Sequence, residues 1–239
     1  MNKSSSVGIM ADTKQTAMAA SARGASFLIV IQIVSRALTF GLNQLILRFL
    51  SPTLLGASVQ LELYTQSVLY FSRESLRIAC QRRTDSVQAA INLSWLAVSS
   101  GIPISVALAG TYLRSGNLPN LEYARPALGL ALLASLVELV SEPAFVAAQQ
   151  RMLYKTRAAA EAAAVIFKTL ATTGVVFWSR YRSMEVGVLP FAAGELAYSA
   201  SLTAVYLWRI SAVSRRDGFS LLPRKITSRC VRYQTNLRM

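Results

Sequence analysis

Residues 32–83 read QIVSRALTFGLNQLILRFLSPTLLGASVQLELYTQSVLYFSRESLRIACQRR. Two apolar segments meet at Ser51-Pro52, and both carry charges that a membrane-spanning helix ordinarily avoids. On a helix turning about 100° per residue, Gln32, Arg36, Thr39 and Asn43 fall within roughly a 60° arc. Glu62, Gln66, Tyr70, Arg73 and Arg77 fall within roughly an 80° arc of the second segment. A cation at mid-bilayer costs about 2.5–3.5 kcal/mol on the gentlest scale, so such residues face a bundle interior or a wet cavity. Two neighbouring helices with polar stripes imply one polar cavity between them. The plainer reading is that Arg48, Arg73 and Arg77 sit near helix ends and snorkel to the headgroups. Arg36 lies eleven residues into its segment, too deep for easy snorkelling, and is expected to bind substrate or to form a structural ion pair.

Outward from this stretch the whole chain has the same character. Of 239 residues, 53% are hydrophobic and only 15% charged, and mean hydropathy is +0.40. Soluble domains carry about 25% charged residues. The apolar residues come in blocks long enough for a helix to cross about 30 Å of hydrocarbon. The expected fold is therefore all-α, a polytopic transmembrane bundle of about six spans, because only helices and closed barrels satisfy their backbone in lipid. The spans fall at about 25–49, 54–72 (with a helical extension to Arg83), 89–113, 126–148, 158–178 and 186–208. Residues 1–24 read as a disordered tail without the apolar core of a cleaved signal. Residues 209–239 are basic, carry little periodicity, and read as a flexible cytosolic segment.

The net charge of +14 is spread over loops. No nucleic-acid motif accompanies it, so nucleic-acid binding is not expected. Eighteen Lys and Arg fall in the tail, the loops at 73–88 and 149–157 and the C-terminal segment, against five in the loops at 48–53, 114–125 and 179–185. The positive-inside rule then puts both termini in the cytosol. Cys80 and Cys230 lack C-x-x-C spacing and both fall on that side, so no disulfide is expected. The sequons at Asn2 and Asn92 lie in the tail and within a span, where no glycan is expected.

Further charges sit inside later spans. Glu138 and Glu142 lie one turn apart on one face, with Pro143 next. Arg157, Glu161, Lys168 and Thr172 share roughly a 60° arc of the fifth span. Glu195 follows Gly187, Pro190 and Gly194 in the sixth, and Gly101-Ile-Pro103 marks a bend in the third. Interhelical ion pairs, for instance Lys168 with Glu138 or Glu142, make such residues tolerable. The chain has no histidine, so the glutamate pair lacks the Glu-x-x-His partners of a carboxylate metal site. No catalytic constellation is present, and neither an enzyme nor a cofactor is expected.

SRALTFGLNQLILRFLSPTLLG, followed by YFSRESLRIAC, resembles the eukaryotic Rft family, as does LVELVSEPAFVAAQQRMLYKTRAAAEAAAVIFKTL at 136–170. The resemblance runs from about residue 25 to about residue 210, and on to Ile226 as a linker between halves. Family members are roughly twice as long, so the chain is expected to be an N-terminal half with a truncated end. The resemblance implies an endoplasmic-reticulum membrane protein that translocates oligosaccharide diphosphodolichol for N-glycosylation. It also implies one bundle of a flippase or multidrug-exporter-like fold. Arg36, Asn43, Glu62, Arg73, Arg77, Glu142, Glu161 and Lys168 are the candidate substrate-binding residues, cations for the diphosphate and carboxylates for sugar hydroxyls. Partners would be membrane lipid, the glycolipid and N-glycosylation proteins; the oligomeric state is open. The alternatives are a non-transporting factor that binds the glycolipid or a pathway partner, and an ion-coupled exporter of small molecules.

Overall fold

The computed structural model describes residues 51–82, 86–114 and 123–224, together with positions 29, 30, 32–34, 36, 37, 40, 41 and 44. Asn43, Thr39, Arg48, Cys230, the tail and the end of the chain lie outside the described residues. The chain divides into two compact units, residues 1–43 and 44–239. In the first unit the described positions, Arg36 among them, are all helical.

From residue 51 on, six helices follow one another among the described residues of the second unit. They are α1 (Pro52–Arg82), α2 (Val87–Arg114), α3 (Ala124–Val140), α4 (Glu142–Gln150), α5 (Tyr154–Tyr181) and α6 (Leu189–Asp217). The unit is an all-α membrane bundle. Val87–Arg114, Ala124–Gln150 and Tyr154–Tyr181 are long and apolar enough to cross a membrane. α1 and α6 have 31 and 29 residues, also enough to cross, but their sequences are more polar. Of the six expected spans, three thus meet the test of length and composition. Most of the first lies outside the described residues.

The expected fourth span is divided at Ser141. Pro143 has no N–H to give the carbonyl one turn back, and its ring crowds that carbonyl. Ser141 bridges the interruption: its N–H and its hydroxyl both donate to the Glu138 carbonyl, at 3.0 and 2.7 Å. α2, by contrast, runs unbroken through Pro103. Gly101 there serves close approach, since a Cβ on it would meet the Leu139 side chain and the Ser72 hydroxyl. The Tyr64 hydroxyl donates to the Ser105 carbonyl at 2.9 Å and ties α1 to the same stretch.

The chain reverses between successive spans, with α3 and α4 together making one of them. α5 packs along α6, α3 along α6 and α1 along α2, while α1 and α5 nowhere pack together among the described residues. Two apolar clusters fill the bundle, one above the other. The first joins Leu61, Tyr64, Val68 and Leu69 to Leu128, Leu139 and Ala192. The second joins Cys80, Ile91, Phe145, Ala160, Ala164, Leu202, Tyr206 and Ile210. α1, α2 and α6 contribute to both clusters, α3 to the first, and α4 and α5 to the second; the charged residues lie where one cluster gives way to the other.

The sixth helix passes the expected end at 208 and stops at Gly218, whose φ of 70° lets the chain turn sharply. Residues 218–224 are then held against α2 rather than left free.

Candidate functional site

The seam between the two clusters is ionic. Arg73 and Arg77 project from α1, one turn apart. Glu138 lies in the last turn of α3 and Glu142 begins α4, and both carboxylates meet arginines of α1. Arg73 Nη1 donates to Glu138 Oε1 at 2.7 Å and lies 3.9 Å from Glu142 Oε2. Arg77 grips Glu142 with two parallel bonds, Nε to Oε1 at 2.5 Å and Nη2 to Oε2 at 2.8 Å. Glu138 and Glu142 are buried, at 4% and 1% exposure. Two carboxylates at that depth demand two cations, because an unpaired buried charge costs several kcal/mol.

The second half of the seam belongs to α5 and α6. Lys168 Nζ contacts Glu195 Oε1 at 2.5 Å and reaches Glu62 Oε1 of α1 at 3.6 Å. Glu195 is buried and Glu62 is exposed. Lys168 therefore lies between α5 and α6 and reaches α1 through its side chain alone. The expected pairing of Lys168 with Glu138 or Glu142 is corrected here. α5 lies against α6, so its mid-helix cation meets Glu195, while the two carboxylates beside Ser141 face α1.

Phe145, three residues after Glu142, completes the site. The Arg77 guanidinium lies 3.9 Å from its ring centroid and the Arg157 guanidinium 5.0 Å. The Tyr206 ring meets Phe145 edge-on at 6.1 Å. Arg157 also pairs with Glu161 at 2.9 Å along α5, with both side chains nearly half exposed. An aromatic face toward a cation adds about 0.5–2 kcal/mol and helps fix its direction.

The structure thus joins Arg73, Arg77 and Glu142 in one cluster and Glu62 and Lys168 in an adjoining one. Glu161 sits at the edge, paired within its own helix. Arg36 belongs to the other unit, and Asn43 lies outside the described residues. Glu138, Glu195 and Phe145 complete the seam although the candidate set omits them. The two glutamates were visible as intramembrane charges; Phe145 had only its spacing from Glu142 to mark it. A small apolar recess opens elsewhere, among Leu61, Tyr112, Leu128 and Val188. None of the charged residues lines it.

Chemically, the seam offers cations already matched to carboxylates. A guanidinium has five donors. Arg73 commits Nη1 and Arg77 commits Nε and Nη2 to the glutamates, so each keeps N–H groups for a further oxygen ligand. Both arginines remain partly exposed, at 15% and 21%.

The profile of the Rft protein family matches residues 20–237. The Man(5)GlcNAc(2)-PP-dolichol translocation protein RFT1 of Yarrowia lipolytica is 37% identical over 229 residues, covering 86% of this chain and 33% of that protein. The protein of the same name from Saccharomyces cerevisiae is 31% identical, over 82% of this chain and 40% of its own length. That from Xenopus tropicalis is 32% identical, over 77% and 34%. The chain spans between 33% and 44% of the length of these relatives and others like them. No solved structure matches it.

Proposed function

This chain belongs to the Rft protein family, and from that membership we propose that it forms one bundle of a protein that carries a diphosphate-linked oligosaccharide lipid across the endoplasmic-reticulum membrane. The observation that carries the reading is the buried ionic seam of Arg73, Arg77, Glu138 and Glu142 with Lys168 and Glu195 beside it. A glycolipid headgroup brings sugar hydroxyls and a charged diphosphate, neither of which enters bare hydrocarbon. Arginine N–H groups beyond those bound to glutamate suit phosphate oxygens. Carboxylates suit hydroxyls, and the polyisoprenoid tail remains in lipid. Rocking of this bundle against a second one, as in a multidrug-exporter-like fold, would expose the groove to each leaflet in turn. The work is binding and movement, without a covalent step.

A second reading is favoured by one observation: each cation of the seam already has a carboxylate. In that reading the seam is structural, and the protein supports N-glycosylation by binding the glycolipid or a pathway partner without moving it.

One variant separates the two. Arg77→Met/Glu142→Leu removes a buried ion pair as a unit, which is typically neutral or stabilising, and it removes a phosphate ligand. In an Rft-depleted eukaryotic cell supplied with the chain extended to family length, the double variant should insert normally yet fail to clear the accumulated dolichol-linked oligosaccharide. Full clearance by the double variant would leave the Arg77 pair a structural role only.

A further inference from the structure

The segment after α6 is bound to the bundle by an unusual set of contacts. Gly218 N–H closes α6 on the Ser214 carbonyl at 2.9 Å, and the Ser214 hydroxyl donates to the Phe219 carbonyl. The chain then crosses to the first turns of α2. There Gln88, Asn92 and Trp95, at helical spacings of four and three, present one polar row. The Gln88 carboxamide accepts from Ser220 N–H at 2.9 Å and donates to the Leu222 carbonyl at 3.2 Å. Asn92 repeats the pattern on Arg224, donating at 2.7 Å and accepting at 3.1 Å. Trp95 Nε1 donates to the Leu221 carbonyl at 2.8 Å. Each carboxamide supplies one donor and one acceptor, so the row does for an extended chain what a neighbouring strand does in a sheet.

Side chains hold the same segment from the other direction. Phe219 and Leu221 pack against the second apolar cluster. Arg151, at the α4–α5 turn, pairs with Asp217 at 3.2 Å and lies 5.7 Å from the Phe219 ring. α2 and α6 do not pack against each other among the described residues; α4 stands between them. The segment is therefore a direct tie between two helix ends that otherwise communicate through α4.

We propose that residues 218–224 are a latch that fixes the spacing of the α2 and α6 ends, so that this end of the bundle opens only when the latch leaves the Gln88–Asn92–Trp95 row. The latch also moves the point of exit: the chain beyond residue 224 pulls on α2, not on α6. Two features suit it to release. Its bonds to α2 are few and near a helix end, and the Gln88, Asn92 and Trp95 side chains that make them are neutral, so no charge is stranded when they part.

The test uses the chain in membranes, in a Cys80→Ser/Cys230→Ser background. Spin labels at Leu96→Cys on α2 and Ala212→Cys on α6, both exposed positions, report the spacing of the two helices. The parent should give one narrow distance. Gln88→Ala/Asn92→Ala should broaden it, and so should Phe219→Ala/Leu221→Ala, which leaves both helices unaltered. In parallel, a Leu221→Cys reporter should react with maleimide at least tenfold faster once Gln88 and Asn92 are replaced, while one at exposed Leu222 reacts quickly throughout. A distance that stays narrow in the Phe219/Leu221 variant overturns the latch, since α4 alone would then set the spacing. Fast labelling of Leu221→Cys in the parent overturns it as well.

Discussion

At the scale of single residues, burial decides which charges matter. Lys168 has two acidic neighbours of opposite standing. Glu195 is buried and in close contact, whereas Glu62 is half exposed and 3.6 Å away. Lys168→Met should strand Glu195 and cost about 3–5 kcal/mol, seen as a much lower thermal midpoint in detergent. Glu62→Gln should cost under about 1 kcal/mol, the range of exposed pairs. Equal losses from the two would mean that Glu62 is the real counter-ion. The sequence made Arg73 and Arg77 legible as a pair, because helical periodicity puts them on one face. It left their partners open. Glu138 and Glu142 lie 65 residues further on, and only the packing of α3 and α4 on α1 selects them over Glu195. Phe145 was illegible for another reason: an aromatic residue in an apolar run is core by default, and nothing local announces the guanidinium above it.

At the scale of elements, glycine and proline were legible as punctuation but not in their effect. Gly101-Ile-Pro103 leaves α2 unbroken, and the interruption falls at Ser141, beside the Glu142-Pro143 pair that reads as a packing kink. The difference lies in what packs nearby. Gly101 is covered by Leu139, so its missing Cβ serves contact between helices. Pro143 stands at the start of α4, where its missing N–H does least harm. Gly101→Ala should therefore force Leu139 to shift and cost about 1–3 kcal/mol, the usual range for overpacking. A denaturation midpoint equal to the parent's would show that Leu139 yields freely. Residues 209–239 read as free chain, yet α6 runs on to Asp217 and residues 220–224 bond to α2; one glutamine and one asparagine in a largely apolar block give no address for what they bind. Asn92 illustrates this well: as a sequon it attracts attention, and in the fold its carboxamide holds the backbone of Arg224.

At the scale of the whole molecule, the up-and-down course of the helices sorts the basic residues by end. Arg151, Lys155, Arg215, Arg216 and Arg224 gather where α4, α5, α6 and the latch meet. The positive-inside rule assigns that end to the cytosol. A tag placed between Arg114 and Tyr123 should then resist protease added outside sealed microsomes, and cleavage there would invert the orientation. The all-α bundle of long helices was readable from apolar block length, since helix length follows from the thickness of the bilayer. The ionic seam has a further consequence, for the order in which the protein is made. α1 is not apolar enough to mark it as a span, and Arg73 is joined to Glu138 across 65 residues. At about 5–20 residues per second a ribosome needs about 3–13 s to cover that distance. For that interval α1 holds two arginines without their acids and gains little by entering lipid alone. α1 should therefore wait beside the insertion machinery until α3 and α4 emerge and settle with them, an early-made helix with a late place in the membrane.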